Sequence, residues 1–255
     1  MKQTQQPALC LFVIGLLGLG VVALIVADFA MVWQPVPAWV PARHVVAYAT
    51  GVLMLLIGVG LLVPGSRIWA VRVLFVYLFV WALLKVPGVV AAPTMAATWL
   101  GLGELTLLLS GGWTLLAKLD VDSNSFLVGE RGVRMARILF AVSVIPIGLS
   151  HIVYPTETAG FVPHWLPYRT GWAYLTGAGQ IASGLGVLFN VLPRVAAWAE
   201  AIQITLYTLL VWAPAIVASP KARLPWTAFF ISWIIGAAAW AVAQNISSKV
   251  RAQTT

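Results

Sequence analysis

ALCLFVIGLLGLGVVALIVA, residues 8–27, contains no charged side chain. Twenty residues rising about 1.5 Å each as a helix reach about 30 Å, the thickness of a bilayer's hydrocarbon core. A secretory signal would carry a shorter apolar region of about 7–15 residues, ending at a small-residue cleavage site. This run is longer and leads into the bulky DFAMVW at 28–33, so it reads as a retained span. The whole chain agrees: of 255 residues, 61% are hydrophobic and only 9% charged, with a mean hydropathy of +0.95. A soluble domain carries about a quarter charged residues, so lipid must cover part of this surface.

Hydropathy and breakers together predict eight helical spans, near 8–30, 45–64, 67–86, 97–117, 133–154, 171–190, 194–214 and 225–244. Pro64, Gly65, Pro87, Gly88, Pro193 and Pro214 punctuate their ends. Only helices suit these lengths, because hydrocarbon cannot satisfy the backbone of an open strand. Eight spans place both termini on one face. That face carries ten of the fifteen Lys and Arg residues and the opposite face five, which predicts cytoplasmic termini. The net charge of +8 then reflects this asymmetry and attraction to anionic lipid rather than nucleic acid binding, which would need a soluble basic surface. The expected location is a bacterial cytoplasmic membrane. Cys10 is the only cysteine, so neither an internal disulfide nor a CxxC pair exists; it reads as an ordinary membrane-facing or packing residue.

Two rigid segments are nearly the same: VPAWVPAR at 36–43 and VPHWLPYR at 162–169. Aligning 36–63 with 162–189 makes twelve of 28 positions identical without a gap. After a shift of one residue the match continues, Arg67 with Arg194, Pro87 with Pro214, Pro93 with Pro220, Trp99 with Trp226 and Trp113 with Trp240. The chain therefore reads as an all-α, eight-span polytopic protein made of two four-helix repeats, 1–117 and 132–255. The polar stretch 118–131 is a cytoplasmic linker between them. An even number of spans per repeat makes the two halves parallel, related by an axis along the membrane normal. Each plug holds two prolines four residues apart, which stiffens a non-helical crossing. Its tryptophan, Trp39 or Trp165, suits the headgroup zone. An interfacial cap that aims the next helix and a lid over a ligand pocket are both open readings. The small residues that follow, Thr50, Gly51, Gly58 and Gly60, recurring as Thr176, Gly177, Gly184 and Gly186, suit close helix packing in lipid.

The second plug and its sequel, FVPHWLPYRTGWAYLTGAGQIASGLGVLFNVLPRVAAWAEA, resemble the DoxX-like family of small bacterial membrane proteins. In that family a proline–tryptophan–leucine–proline plug leads into a helix with Ser or Thr, Gly, then Glu and a glycine-rich run. The resemblance covers nearly all of 137–244 and, through the repeat, a weaker copy at 10–117. It implies an association with membrane redox complexes, since the family includes a subunit associated with a quinol oxidase. Quinone is the ligand this points to, and other membrane redox subunits are the partners. The family's glutamate on the second helix is Gln180 here and Met54 in the first half.

Polar residues at membrane depth are the remaining candidates, because charges inside spans are costly and face a partner or a wet cavity. Asp28, Lys85 and Glu104 fall at one depth in the first half and are expected to meet beneath Trp39. A structural Lys85–Glu104 pair and a binding pocket open to the outer face are the two readings. The second half offers His151, Gln180 and Glu200, with Glu200 expected to pair with Arg194 or to snorkel. The candidate ligand-binding set is thus Asp28, Trp39, Lys85, Glu104, His151, Trp165, Gln180 and Glu200. No metal set is expected, since His44, His151 and His164 are scattered, and no P-loop or nucleophile elbow occurs. Two functions follow: a non-catalytic binding or accessory protein holding a lipophile such as a quinone or membrane lipid between helices, or a small-solute transporter built from the two repeats.

Overall fold

The computed structural model describes residues 6–120 and 125–246, and among these every regular element is helical. The long helices are α1 (Gln6–Val26), α2 (Arg43–Leu62), α3 (Arg67–Leu83), α5 (Ala96–Leu119), α6 (Gly129–Val153), α8 (Arg169–Leu188), α9 (Pro193–Tyr207) and α11 (Arg223–Asn245). Three short helices join them, α4 (Val86–Ala91), α7 (Pro155–Phe161) and α10 (Ala213–Ala218). Seven stretches are long and apolar enough to cross a membrane: α1 from Pro7, α2, α3 with α4, α5, α6, α9 with α10, and α11. The 20-residue α8 is as long as α2, but Gln180, Ser183 and its additional threonine and glycines make it less apolar.

Prolines shape two of these helices. A proline lacks the amide needed for the i→i−4 bond, and its ring clashes with the carbonyl four residues back. Pro87 accordingly ends α3 at Leu83, and the chain restarts as α4. Pro214 acts on α9 differently: a π-helical turn, Thr208–Trp212, absorbs the mismatch before α10. The first span is shorter than its hydropathy suggests. It stops at Val26, Ala27 turns to φ 53°, and a 3₁₀ turn follows at Met31–Trp33. Burial of Phe29 and Trp33 and the ionic contacts of Asp28 draw this segment off the helix axis.

The packing order forms a ring. α1 lies against α2 and α11; α3 against α2 and α5; α6 against α5 and α8; α9 against α8 and α11. α5 and α11 touch each other across the middle and are the two most buried spans. Side chains from 1–117 and 132–246 therefore share one core, in which Phe12, Leu74, Leu107, Phe140 and Val242 are all buried. The outer faces keep large apolar side chains exposed, among them Ile25, Leu56, Val76, Leu175 and Val217. So much exposed apolar surface suits hydrocarbon as solvent.

The small-residue positions carry close contacts, as expected. A Cβ on Gly148 would lie 2.5 Å from the Gly177 carbonyl oxygen, and one on Gly177 would lie 2.7 Å from that of Gly148. Only hydrogen at both positions lets α6 and α8 approach this far.

Candidate functional site

Three polar clusters and one cavity carry the chemistry. The first lies where α1 ends. Asp28 accepts a bond from the Phe29 amide at 2.8 Å, ion-pairs with Arg223 at 2.9 Å and ion-pairs with Arg43. The Arg43 guanidinium also stacks on the Phe29 ring, 5.1 Å from its centroid, and Arg223 donates to the Phe29 carbonyl. Burial alone would raise the Asp28 carboxyl; the Phe29 amide and the Arg223 and Arg43 guanidiniums outweigh it and hold it below the ordinary aspartate range. The cluster ties the ends of α1, α2 and α11 together.

The second cluster surrounds the 3₁₀ turn. Trp33 Nε1 donates to Glu104 Oε2 at 2.7 Å, from the turn to the third turn of α5. Gln34 Nε2 donates to the Tyr77 hydroxyl at 2.7 Å, while Gln34 Oε1 accepts from the Ala30 amide at 2.7 Å. Lys85 Nζ donates to the Val32 carbonyl. The Lys85 ammonium also lies over Gly101, one turn before Glu104: a Cβ there would meet Nζ at 2.9 Å.

The expected meeting of Asp28, Lys85 and Glu104 is thus split in two. Both Asp28 oxygens serve arginines, and among the described residues Lys85 and Glu104 form no direct ion pair. The intervening turn takes their hydrogen-bonding capacity instead. Trp39 and Trp165 are 80% and 71% exposed, so the plug tryptophans point outward. Each plug opens its helix with a left-handed residue, Ala42 at φ 51° and Tyr168 at φ 54°. Trp33, Gln34 and Tyr77 carry no signal in the sequence that marks them as site residues. Their partners lie 43 to 71 residues away on other helices, and only the shared depth of Lys85 and Glu104 hints at a polar layer there.

The third cluster is in the second half. Gln180 on α8 and Glu200 on α9 are buried against each other, with Gln180 Nε2 donating to Glu200 Oε1 at 3.3 Å. Glu200 neither pairs with Arg194 nor reaches the surface: its helix turns it toward α8, while Arg194 is exposed. His151 stands apart, half-buried, its Nδ1 3.1 Å from the Thr176 hydroxyl, joining α6 to α8.

The cavity, about 380 Å³, lies between α1, α9 and α11. Cys10, Leu11, Thr205, Thr208, Trp233 and Gly236 help to line it. Apart from the exposed Cys10 thiol, its polar side chains are already engaged: Trp233 Nε1 donates to the Leu11 carbonyl at 2.9 Å, Trp240 Nε1 to the Thr205 hydroxyl at 3.2 Å, and the Thr208 hydroxyl to the Ile204 carbonyl at 2.9 Å. An occupant would meet hydrocarbon and aromatic faces. None of the eight candidates chosen from sequence lines it. Among the described residues no group of three His, Cys, Asp or Glu side chains is placed to hold a metal.

Fold and site together define a helical protein with at least seven membrane-capable helices, an internal polar layer and an apolar inter-helix cavity. A family model described as a domain of unknown function, DUF8561, matches residues 139–241, a stretch running from within α6 into α11. No curated protein matches the chain, and no solved structure matches it.

Proposed function

We propose that this chain is a DoxX-like integral membrane protein that binds a lipophile, a membrane lipid or a quinone, between its helices, acting as a non-catalytic accessory component of a membrane redox complex. The proposed topology is eight spans in two parallel four-helix repeats, with both termini on the cytoplasmic side of a bacterial cytoplasmic membrane. Helix boundaries support the duplication: α2 and α8 are offset by 126 residues at both ends, and α4 and α10, like the starts of α5 and α11, by 127. Two bonds recur at the same offsets. Val40 N donates to the Pro37 carbonyl as Leu166 N does to that of Pro163, and Trp99 Nε1 to the Pro93 carbonyl as Trp226 Nε1 does to that of Pro220. This correspondence also argues that α8, the copy of α2, is the eighth span.

The observation that carries the binding function is the cavity. At about 380 Å³ it falls within the roughly 300–1,000 Å³ of small-molecule sites, and apart from the Cys10 thiol its polar side chains are spent on the protein itself. Exposed Cys10 on its lining shows that it reaches the outside of the bundle. The test is native mass spectrometry from lipid nanodiscs. Gly236→Leu projects a side chain into the cavity from a position where a Cβ makes only ordinary contacts, at 3.6 Å or more. Wild-type protein should carry a bound lipid or quinone that Gly236→Leu loses while keeping its melting temperature. Equal occupancy of both, or an empty wild type, overturns the proposal.

One observation favours the transporter reading as a second possibility. The spans are interrupted at corresponding places, after Leu83 and at Thr208–Trp212, and transporters build solute sites at such interruptions. Solute-dependent flux in proteoliposomes, without a retained lipophile, would favour it.

A further inference from the structure

Glu200 is 1% exposed and Gln180 4% exposed, and they are held between α8 and α9 in the middle of both helices. One hydrogen bond joins them, from Gln180 Nε2 to Glu200 Oε1. Two oxygens of the same pair, Glu200 Oε2 and Gln180 Oε1, are buried and have no partner among the described residues. Both are acceptors, so neither can satisfy the other as long as the carboxyl is ionised. An ionised Glu200 would also be a buried charge supported by a single neutral amide, an arrangement proteins avoid by pairing or neutralising the group.

We propose that the Gln180–Glu200 pair is a proton-binding site at membrane depth, occupied by a proton on Glu200. A lone pair of Oε2 takes a proton from hydronium of the bulk solution, which leaves as water; the carboxylate becomes a neutral acid, and nothing is oxidised or reduced. That one proton engages both orphaned atoms, making Oε2 the donor and Gln180 Oε1 its acceptor. The acid's O–H donates to Gln180 Oε1, the amide already donates to Oε1 of the acid, and the two side chains close a ring of two hydrogen bonds. Glutamine suits position 180 because it offers a donor and an acceptor side by side.

Three further observations support this reading. The corresponding positions of the first half are Met54 and Val73, so the pair is polar at both places in one half and apolar at both in the other. Among the described residues no counter-charge replaces the proton. The ionisable groups on the packed elements are chiefly Arg137 and His151 on α6, Arg169 and Tyr174 on α8, Arg194 and Tyr207 on α9 itself, and Arg223 on α11; none bonds or ion-pairs with Glu200. A hard metal cation is a poorer occupant, because among the described residues the pair offers two free oxygens, whereas Ca²⁺ and Mg²⁺ take about six or more.

Infrared difference spectroscopy of the whole protein in nanodiscs tests the proposal. At neutral pH the wild type should show the carbonyl stretch of a protonated carboxylic acid that Glu200→Gln removes. Gln180→Met should keep that band but shift it to higher frequency, because the hydrogen-bond partner is gone. Exchanging Na⁺ for K⁺ should leave it unchanged. A wild type without such a band, or a band that appears only when Na⁺ is withdrawn, overturns the proposal, the second outcome assigning the site to a cation. If Glu200→Gln fails to fold, Gln180→Met decides alone: an unshifted spectrum overturns it.

Discussion

Asp28 and Arg223 are 195 residues apart in the chain and 2.9 Å apart in the fold. The contact joins the end of α1 to the start of α11, so the first and last long helices are locked at the same end of the bundle. Arg43 shares the same carboxylate, which makes Asp28 the common anion of two cations. Removing it strands both guanidiniums partly buried, a larger loss than that of one exposed ion pair.

Asp28→Asn should therefore destabilise the protein by about 1–3 kcal/mol. The sign with pH follows from the depressed carboxyl. The contribution is complete above the unfolded value of 3.8 and is lost as pH falls through the lower folded value. Thermal unfolding in detergent checks both points. Wild type should lose stability in acid more steeply than Asp28→Asn, and parallel pH curves would refute the role given to Asp28.

Trp33 and Glu104 should behave as one unit. Trp33→Phe removes the indole donor and Glu104→Leu the carboxyl acceptor, so each single change leaves the other side chain without its partner. The double variant should be more stable than the two single losses predict, by a coupling of about 0.5–3 kcal/mol. Additive losses would mean that the 2.7 Å bond contributes nothing. Lys85→Met should act separately, through the turn at Val32.

The α6–α8 crossing makes a sharp steric prediction. Gly148→Ala forces a methyl to within 2.5 Å of the Gly177 carbonyl oxygen, and overpacking of this kind costs about 1–3 kcal/mol. On α7, a methyl at Gly160 would have nothing within 4 Å, so Gly160→Ala should be neutral or slightly stabilising. Equal melting temperatures for the two alanine variants would contradict the close approach.

Topology is checked by labelling. In a Cys10→Ala background, Ser123→Cys and Thr255→Cys should both react only from the cytoplasmic side. Both positions lie outside the described residues, and the expectation rests on the ten-to-five division of Lys and Arg. Labelling of either from the outside would refute an even number of spans with cytoplasmic ends.

Composition alone was enough to read helices in lipid, because hydrocarbon leaves the backbone few alternatives and a run such as 8–27 is long enough to cross. Breakers were legible only in part: Pro87 ends α3 by acting on the carbonyl four residues back, but Pro214, expected to end a span, is passed by a π-helical turn and the helix continues to Ala218. The close-packing role of Gly177 could be read from its neighbours in the same way. Partner choice could not. Asp28, Lys85 and Glu104 share a depth, yet which charge meets which depends on helix rotation and on the path of the 28–34 turn, and that turn gave Glu104 to Trp33 and Asp28 to two arginines. The cavity was equally hidden, since Cys10, Thr205 and Gly236 belong to three helices distant in sequence, and an apolar void leaves no mark in any one of them. Local chemistry dictates which segments become helices; the meeting of side chains across helices is decided only when all of them pack.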